Sequence, residues 1–475
     1  MIPTEDEKLL RECQMALERG DNFRALTAAD ESLIRDPDGD AAMFAAGTAL
    51  LRADQKGLAL MMLNAARSAM AKSMRPGFNE DRHKMGVIWN NIAYCVQQHH
   101  PEMAYKALLK AIEYGYDGLS YDNLCNIAST LGRHTEALDW AEKAGDGAYY
   151  NRAFALLHLG RWREAWADYD RSAGSASRPM TERDYELPRW DGKRPGKVIV
   201  HGEQGVGDEI MFMSMLPAEF DGVIDCNPRT ATMFQRAFPN ATVYGTLLQS
   251  VLEWPVDEKA DWHLEMGGLG AHYAPEPFRK GAYLKADPAD KAAWDAWIRA
   301  KVHSFPALGR PTRVGVAWTG GTWETGRKKR SVPFEVMRRY LFDQHRDVTW
   351  VNLEYEPRPQ ELELLDADGV TVLNPARATK KGADLDDLAG LVSSLDLVIT
   401  ATNSTVDLCG ALGVPVWVMT DPEPQWRYSH AAGEDQMWFY ESARLFRQKT
   451  GEGWDRVAAN VALALAKAKQ HRVAA

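Results

Sequence analysis

The sequence predicts an α + α/β protein in which an N-terminal α-solenoid precedes two α/β units. Helical periodicity runs without strand-like alternation from Thr4 to Ser172. The β-branched run Val198–Val200 is followed at once by a glycine turn and a helical pattern, and the same strand–turn–helix order returns after Arg313 and after Leu397. This alternation predicts parallel sheets joined by right-handed crossovers. The predicted domains are helical repeats over 1–172, a linker over 173–195, and two α/β domains over 196–308 and 309–475.

Composition and charge restrict the class of protein. A chain of 475 residues with 45% hydrophobic residues fits globular domains of roughly 100–200 residues each. The net charge of -10 argues against a protein that holds nucleic acid mainly through its overall field, although a local basic patch stays compatible. Five cysteines without CxxC spacing predict neither a zinc site nor a disulfide framework, and favour a cytoplasmic location. The acidic N-terminus and the lack of about 18 uninterrupted apolar residues predict neither an export signal nor a membrane span.

The repeat region is predicted to form helix pairs. These are Leu9–Arg19 with Phe23–Arg35, Ala41–Arg52 with Lys56–Met70, Met85–Gln98 with Glu102–Tyr114, Tyr121–Leu131 with His134–Lys143, and Ala148–Leu159 with Trp162–Arg171. The last two pairs contain LGRHTEALDW and LGRWREAWAD, in which Gly132 and Gly160 end the first helix and Ala137 and Ala165 allow close packing. Together with WNNIAYC, these segments resemble the tetratricopeptide repeat. The resemblance implies a curved solenoid whose concave face binds an extended partner.

Asparagines recur on the first helices of the later pairs. Asn91 and Asn126 are candidates for holding the backbone of an extended protein acceptor, but capping and turn roles also explain asparagine at such positions. Both interpretations stay open. Trp162, Trp166 and Tyr169 have helical spacing and are expected in the core rather than in a ligand platform.

A glycine turn follows the first predicted strand, in the stretch KVIVHGEQGVGDEIMFM. Gly205 and Gly207 allow a close backbone approach. Glu203, Gln204 and Asp208 then lie at the carboxyl end of a strand, where ligands bind in open α/β sheets. The spacing matches neither the dinucleotide fingerprint nor the P-loop. Asp208 fits either a helix N-cap or a catalytic carboxylate.

A second polar turn follows the strand that begins at Leu397. Asn403, Ser404 and Thr405 lie immediately ahead of a helix. Hydroxyl groups and free backbone N–H groups at a helix N-terminus form an anion site suited to a diphosphate. A plain N-cap needs one of these residues, so three in a row favour a ligand.

A basic loop follows the strand VGVAW. Thr319, Gly320 and Gly321 form its beginning, and Lys329 and Arg330 lie ahead of the next helix. Basic runs usually form a solvated face. Their place after a strand end predicts that at least one of the two cations contacts phosphate.

These segments together resemble a known enzyme family. GEQGVGDEI, GVAWTGG with the later KRSVP, and DLDDLAGLVSSLDLVITATNSTVDLCGALGVPVWVM followed by QWRY look like the heptosyltransferase-like glycosyltransferases. The similarity is greater to the branch in which tetratricopeptide repeats precede the transferase, as in bacterial protein glycosyltransferases of flagellin type. The resemblance covers the chain from about Asp184 onward and, more loosely, the repeats.

The resemblance implies a GT-B transferase of two Rossmann-like domains, with the acceptor side in 196–308 and the nucleotide sugar in 309–475. It implies inverting transfer from a nucleotide-activated donor without a required metal or other cofactor, and Asp208 as the base that takes the acceptor proton. The candidate donor contacts are Gly205, Gly207, Thr319, Gly320, Gly321, Lys329, Arg330, Glu354, Asn403, Ser404 and Thr405. The candidate acceptor contacts are Glu203, Gln204, Asn91 and Asn126. Glu354 also fits a plain position at a strand end.

One residue departs from the family pattern and keeps other interpretations open. Relatives usually carry His where this chain has Asp407, which would repel a diphosphate that it faced. This departure favours a binding or scaffold protein with a transferase-like fold and no activity. A third interpretation keeps the transferase but takes a saccharide, a lipid-linked sugar or a modified nucleobase as acceptor; the acidic net charge argues against DNA.

Overall fold

The computed structural model describes residues 4–75, 77–175, 178, 183–248, 252, 254, 256, 260–301, 312–322, 325–355, 358–367, 369–370, 372–380 and 382–473. The chain divides into two compact units, Met1–Leu156 and Leu157–Ala475. The first unit is helical and the second contains parallel sheets, which confirms the predicted α + α/β layout. The boundary predicted between 308 and 309 lies outside the described residues. No described helix has the length and apolar character needed to cross a membrane.

The first unit is built from consecutive helices, of which the first eight pack successively on one another. They are α1 (Glu5–Glu18), α2 (Asn22–Arg35), α3 (Asp40–Arg52), α4 (Lys56–Ser73), α5 (Asn79–Val96), α6 (Pro101–Glu113), α7 (Gly118–Thr130), α8 (His134–Ala144) and α9 (Tyr149–His158), whose end enters the second unit. Thr4 and Glu7 form a capping box that starts α1. Gly132 follows α7 with a φ of 75°, which glycine adopts without steric cost. Fully buried Ala137 and Ala141 let α8 pack closely on its neighbours.

The second unit alternates helices and strands. The helices are α10 (Trp162–Arg171), α11 (Val206–Met213), α12 (Ala231–Ala237), α13 (Leu269–Tyr273), α14 (Pro288–Lys301), α15 (Arg327–Arg330), α16 (Phe334–Met337), α17 (Pro359–Ala367), α18 (Ala376–Thr379), α19 (Leu385–Val392), α20 (Ser404–Ala411) and α21 (Trp454–Val473). The strands are β1 (Val198–His201), β2 (Val223–Cys226), β3 (Thr242–Gly245), β4 (Trp262–Glu265), β5 (Arg279–Lys280), β6 (Arg313–Ala317), β7 (Thr349–Asn352), β8 (Val372–Leu373), β9 (Leu397–Ala401), β10 (Val416–Thr420), β11 (Phe439–Tyr440) and β12 (Ala443–Arg447).

Two larger sheets, both wholly parallel, organise this unit. The first has the order β3-β2-β1-β4 and the second has the order β12-β10-β9-β6-β7-β8. Counted from β6, the second sheet follows the 3-2-1-4-5-6 order of doubly wound folds, and the first sheet follows the beginning of the same order. In such sheets a crevice opens at the carboxyl end of the first strand, where the winding reverses. The turns after β1, β6 and β9 therefore lie where ligands bind.

The two sheets are joined by polar contacts between their helices and loops. Arg229 Nε donates to Ala383 O at 2.7 Å, and Arg236 Nη1 donates to Asp386 Oδ2 at 2.7 Å. β5 and β11 also pair in a short parallel ladder that the sequence did not predict. These contacts fix the crevices of the two sheets against each other.

The division between the units lies earlier than the predicted end of the repeats at residue 172. The Trp162 ring on α10 lies 5.4 Å from the ring of Phe439, 5.5 Å from that of Trp438 and 6.1 Å from that of Trp426, measured between ring centroids. α10 therefore belongs to the core of the α/β unit, although its sequence is that of a repeat helix. The predicted core positions of Trp162 and Trp166 are found, since each is 1% exposed.

Candidate functional site

One cavity of about 360 Å³ lies between the carboxyl ends of the two sheets. Its wall contains the turn after β1, the turn after β6, the end of β7 and the amino end of α20. Of the predicted site residues, those that line the cavity are Gly205, Gly207, Asp208, Thr319, Gly321, Arg330, Glu354, Asn403, Ser404 and Thr405. The fold thus brings residues that are far apart in sequence into one space.

Asn403 holds the amino end of α20 in place. Its Oδ1 accepts from Thr405 N at 3.0 Å, which makes it the N-cap. Its Nδ2 donates to Thr319 O at 3.0 Å, so the same side chain fixes the turn after β6 beside this helix end. The amides of Thr405 and Val406 are bonded to Asn403, and exposed Ser404 lines the cavity at this helix end, an arrangement that favours an anion.

Arg330 supplies a buried positive charge to the cavity wall. Its Nε donates to Thr402 Oγ1 at 3.0 Å and its Nη2 donates to Thr402 O at 2.5 Å. A Cβ at Gly320 would lie 2.5 Å from Arg330 O, and one at Gly321 would lie 2.5 Å from Arg330 Nη1. The two glycines therefore let the turn after β6 wrap around the arginine. Arg330 is 9% exposed, and burial lowers its pKa.

Lys329 points away from the cavity, unlike its neighbour in sequence. Its Nζ lies 2.9 Å from Asp421 Oδ1 and donates to Glu423 O at 3.0 Å. Gly320 does not line the cavity either, and its N donates to Ser331 Oγ at 3.0 Å. Of the two predicted cations, the structure brings Arg330 to the site and directs Lys329 to another carboxylate.

Glu354 organises the turn after β6 as well as lining the cavity. Its Oε1 accepts from the backbone amides of Trp318 and of Thr319, the second at 2.7 Å. Burial raises its pKa, while these backbone bonds oppose the increase. The alternative of a plain surface position at a strand end does not apply, because Glu354 is 4% exposed.

Asp208 lies in the first turn of α11 and forms an ion pair across the cavity. Arg427 Nη2 bonds to Asp208 Oδ1, and Arg427 Nη1 donates to Asp407 Oδ2 at 3.2 Å. Gly205 is the N-cap position of α11 and no side-chain cap bond is present there, so Asp208 is free of the N-cap role proposed as its alternative. One guanidinium thus bridges the predicted base and the residue that departs from the family pattern.

Burial dominates the electrostatics of Asp407. It is 2% exposed, and burial raises its pKa to about 7, with the charge of Asp208 adding to the increase and Arg427 opposing it. A Cβ at Gly207 would lie 3.0 Å from Asp407 Oδ2. The glycine therefore permits the close approach of α11 and α20 at this point.

Glu203 and Gln204, the predicted acceptor contacts, lie behind the cavity wall. Glu203 Oε1 accepts from Gly267 N at 3.0 Å, and Gln204 Nε2 donates to Tyr169 OH at 2.6 Å. Burial, with the nearby charge of Glu265, raises the pKa of Glu203 to about 7. Both side chains bond to residues on the side of the glycine turn away from the cavity, and neither lines the cavity.

Asn91 and Asn126 lie on α5 and α7 of the first unit. Asn91 is partly exposed and Asn126 is exposed, whereas the adjacent Asn90 is 5% exposed and accepts from Asn123 Nδ2 at 2.8 Å. Asn151 Nδ2 continues the pattern with a 2.8 Å bond to Asp122 Oδ1. Part-buried hydrogen bonds between side chains thus link the first helices of successive pairs, and Asn91 and Asn126 take no part in these two bonds.

Sequence reasoning missed Arg427, which was quoted only within the motif QWRY. Arg229 also lines the cavity and was not predicted. An arginine between two aromatic residues after a parallel strand was the available signal for Arg427, but its partners are distant in sequence. Among the described residues there is no group of three or more His, Cys, Asp or Glu able to hold a metal ion. The five cysteines are buried and free.

Comparisons with known proteins give limited similarity. No protein-family model matches the chain. The protein FlbA of Caulobacter vibrioides is 28% identical over 340 residues, which cover 66% of this chain and 54% of FlbA. The chain therefore spans about half the length of this curated relative.

Solved structures of helical-repeat proteins are also similar to part of the chain. PilF of Pseudomonas aeruginosa is 18% identical and covers 38% of this chain and 78% of its own, with a TM-score of 0.30. A thermophilic tetratricopeptide-repeat protein of Thermus thermophilus is 17% identical and covers 36% of this chain and 92% of its own, with a TM-score of 0.29. The repeat architecture of this chain rests on its own packed helices, described above.

Proposed function

We propose that the second unit is a GT-B glycosyltransferase and that the helical repeats recruit its protein acceptor. A nucleotide-activated sugar occupies the cavity, and the sugar passes to an acceptor hydroxyl with inversion at the anomeric carbon. The observation that carries the proposal is that one cavity joins a carboxylate, Asp208, to a buried cation, Arg330, and to the amino end of α20. The sequence resemblance to heptosyltransferase-like enzymes supports the same conclusion.

The cavity residues suit the charges of this reaction. The acceptor oxygen bonds to the anomeric carbon as the bond from that carbon to the donor phosphate oxygen breaks, and the electron pair leaves with the phosphate. The hydroxyl proton goes to Asp208. Arg330, the Ser404 hydroxyl and the positive end of the α20 dipole stabilise the leaving phosphate. Arginine supplies the positive charge, so the proposal includes no metal ion.

The acceptor in this proposal is an extended segment of a protein. Asn91 and Asn126 contact its backbone, because their amides are accessible on helices whose neighbouring asparagines are already bonded to each other. Glu203 and Gln204 are not part of the proposed acceptor site, since they bond Gly267 and Tyr169.

A second candidate function is ligand binding without catalysis. The observation that favours it is the ion pair between Arg427 and Asp208, because the oxygen facing the guanidinium is not available to an acceptor proton. Binding of a nucleotide sugar fits both candidates. Transfer that depends on Asp208 fits the first alone.

The test begins with calorimetric titration of the full chain with a panel of nucleotide sugars and nucleoside diphosphates. Arg330→Met is expected to weaken binding of the selected donor by about 10- to 100-fold, because it removes charge-assisted hydrogen bonds. Lys329→Met is the matched control, since its ammonium group pairs with Asp421, and it should retain the affinity of the parent protein. Equal loss in both variants, or no binding of any donor, would contradict the proposed donor site.

The catalytic part of the proposal is tested with the donor identified in that titration. Asp208→Asn should retain donor binding and abolish both sugar transfer to peptides and donor hydrolysis, which mass spectrometry measures directly. Unchanged turnover in Asp208→Asn would rule out the proposed base. The parent protein could also bind the donor but transfer sugar to none of the proteins captured from the native host. That result would favour the second candidate, ligand binding without catalysis.

A further inference from the structure

The guanidinium of Arg427 lies between two carboxylates of different exposure. The side chain of Arg427 is 8% exposed, that of Asp407 is 3% exposed and that of Asp208 is 26% exposed. Asp208, Asp407 and Arg427 all line the cavity. Of the two ion pairs, the one with Asp208 is the more accessible, because the Asp208 side chain is far more exposed than that of Asp407.

Two buried atoms of this cluster have no hydrogen-bond partner. Within the described residues, Arg427 Nε and Asp407 Oδ1 are both buried and unbonded. A guanidinium has five N–H donors, and the two contacts with Asp208 and Asp407 leave several of them unused. Unused donors on a buried arginine beside a cavity indicate a site for an anionic ligand.

Asp407 is the more tightly packed of the two carboxylates. The close approach at Gly207 leaves a hypothetical Cβ only 3.0 Å from Asp407 Oδ2 and 3.2 Å from Ser404 Cβ. Asp208 has more freedom, because a quarter of its side chain is exposed to the cavity. Asp407 therefore anchors the arginine, and Asp208 is the exchangeable partner.

We infer that Arg427 binds the diphosphate of the donor and releases Asp208 in exchange. In the ligand-free protein Arg427 holds Asp208 in an ion pair. An incoming diphosphate takes the Nη2 and Nε donors of Arg427, Asp407 keeps Nη1, and the Asp208 carboxylate is released to receive the acceptor proton. This inference rests on the proposed function and adds an order to it: Asp208 becomes available after the donor has bound.

This exchange accounts for the two features that favoured an inactive protein. Asp407 does not face the diphosphate as a bare charge, because Arg427 lies between them in the exchanged state. Asp208 paired with Arg427 is then the catalytic base in its ligand-free state, and not a carboxylate that has lost this role. Without a donor, the same ion pair keeps the carboxylate from activating water or an acceptor hydroxyl.

A thermodynamic cycle on the full chain tests the exchange, with inorganic pyrophosphate as the probe. Asp208→Asn removes the competitor for Arg427, so pyrophosphate should bind about tenfold more tightly to it than to the parent protein. In an Arg427→Met background the same substitution should give no such gain in affinity, because the guanidinium for which Asp208 and pyrophosphate compete is absent. Calorimetry measures the four dissociation constants.

A matched control separates exchange from the general loss of negative charge. Asp421→Asn removes a buried carboxylate that pairs with Lys329, so its effect on pyrophosphate binding should be the same with Arg427 or with Met at that position. A gain from Asp208→Asn that persists in the Arg427→Met background would overturn the inference and reduce the effect to charge alone. Failure of pyrophosphate and of every nucleotide to bind the parent protein would instead refute the proposed function.

A crystal structure of the unsubstituted chain with pyrophosphate gives a second test that does not depend on the folding of variants. The expected result is a phosphate oxygen within hydrogen-bond distance of Arg427, with the Asp208 carboxylate separated from the guanidinium and the Asp407 contact retained. A bound pyrophosphate with the ion pair of Asp208 and Arg427 intact would overturn the exchange and leave the donor site standing.

Discussion

Replacing Trp162 by alanine should destabilise the α/β unit, although the residue lies in a segment with a repeat sequence. The indole is 1% exposed and its ring lies among the rings of Trp426, Trp438 and Phe439. Its Nε1 has no hydrogen-bond partner among the described residues. The stability lost on substitution therefore comes from the loss of apolar burial and from the cavity left behind.

The magnitude follows from the size of the ring. A buried tryptophan removes up to about 250 Å² from water, which corresponds to about 6 kcal/mol at about 25 cal/mol per Å². Measured losses for Trp→Ala in protein cores are about 3–5 kcal/mol. We expect Trp162→Ala to lower the free energy of opening of the α/β unit by about 3–5 kcal/mol.

Hydrogen exchange measured by mass spectrometry on the full chain reports each unit separately, which global unfolding of a two-unit protein does not. Peptides from β1 and α11 should lose protection, and peptides from α4 should keep it. Phe23→Ala is the control, since Phe23 is 83% exposed and its substitution should change stability by less than about 0.5 kcal/mol. A change below about 1 kcal/mol in the β1 and α11 peptides, or an equal loss in α4, would refute the assignment of α10 to the α/β core.

Burial raises the pKa of Glu209 to about 8, so between about pH 4 and pH 8 the folded state holds a proton that the unfolded state has lost. Stability should therefore fall as the pH rises from about 4 to about 8, by up to about 1.4 kcal/mol per pH unit for this group, and level off above that range. The stability of Glu209→Gln, measured by urea unfolding, should depend less on pH than that of the parent protein. An unchanged pH dependence would contradict the raised pKa of Glu209. Gly410→Ala should cost about 1–3 kcal/mol, because an added Cβ there would overlap the ring of Tyr440. Gly57→Ala, within α4 and with no atom within 4 Å of the added Cβ, should instead stabilise the protein by about 0.4–1 kcal/mol, and calorimetric melting that ranked the two alike would contradict the packing argument.

Local signals explain the parts of the fold that the sequence predicted. The helix pairs follow from apolar periodicity and from glycines such as Gly132 that end a helix in the left-handed region. The polar turn at Asn403 was predictable because an N-cap is encoded within a few residues. The sequence placed Gly320 and Gly321 at the start of the loop after β6, and the structure shows that this loop passes close to Arg330 there.

Long-range partners explain the parts that the sequence could not supply. Lys329 and Arg330 are adjacent and chemically alike, and their different directions are decided by Asp421 and Thr402, which lie far along the chain. The role of Arg427 depends on a carboxylate 219 positions earlier. Neither relation leaves a periodic or local trace in the sequence.

The membership of α10 in the α/β unit has a consequence for how such proteins can be recombined. In a hybrid in which foreign repeats replace residues 1–172, a foreign helix would replace α10 with its buried Trp162 and Trp166. The hydrogen bond between Tyr169 and Gln204 beside the glycine turn would also be lost. A junction between Leu156 and Leu157 keeps every one of those contacts. All residues that line the cavity lie downstream of that junction, so an exchange of the repeats there leaves the lining of the cavity unchanged.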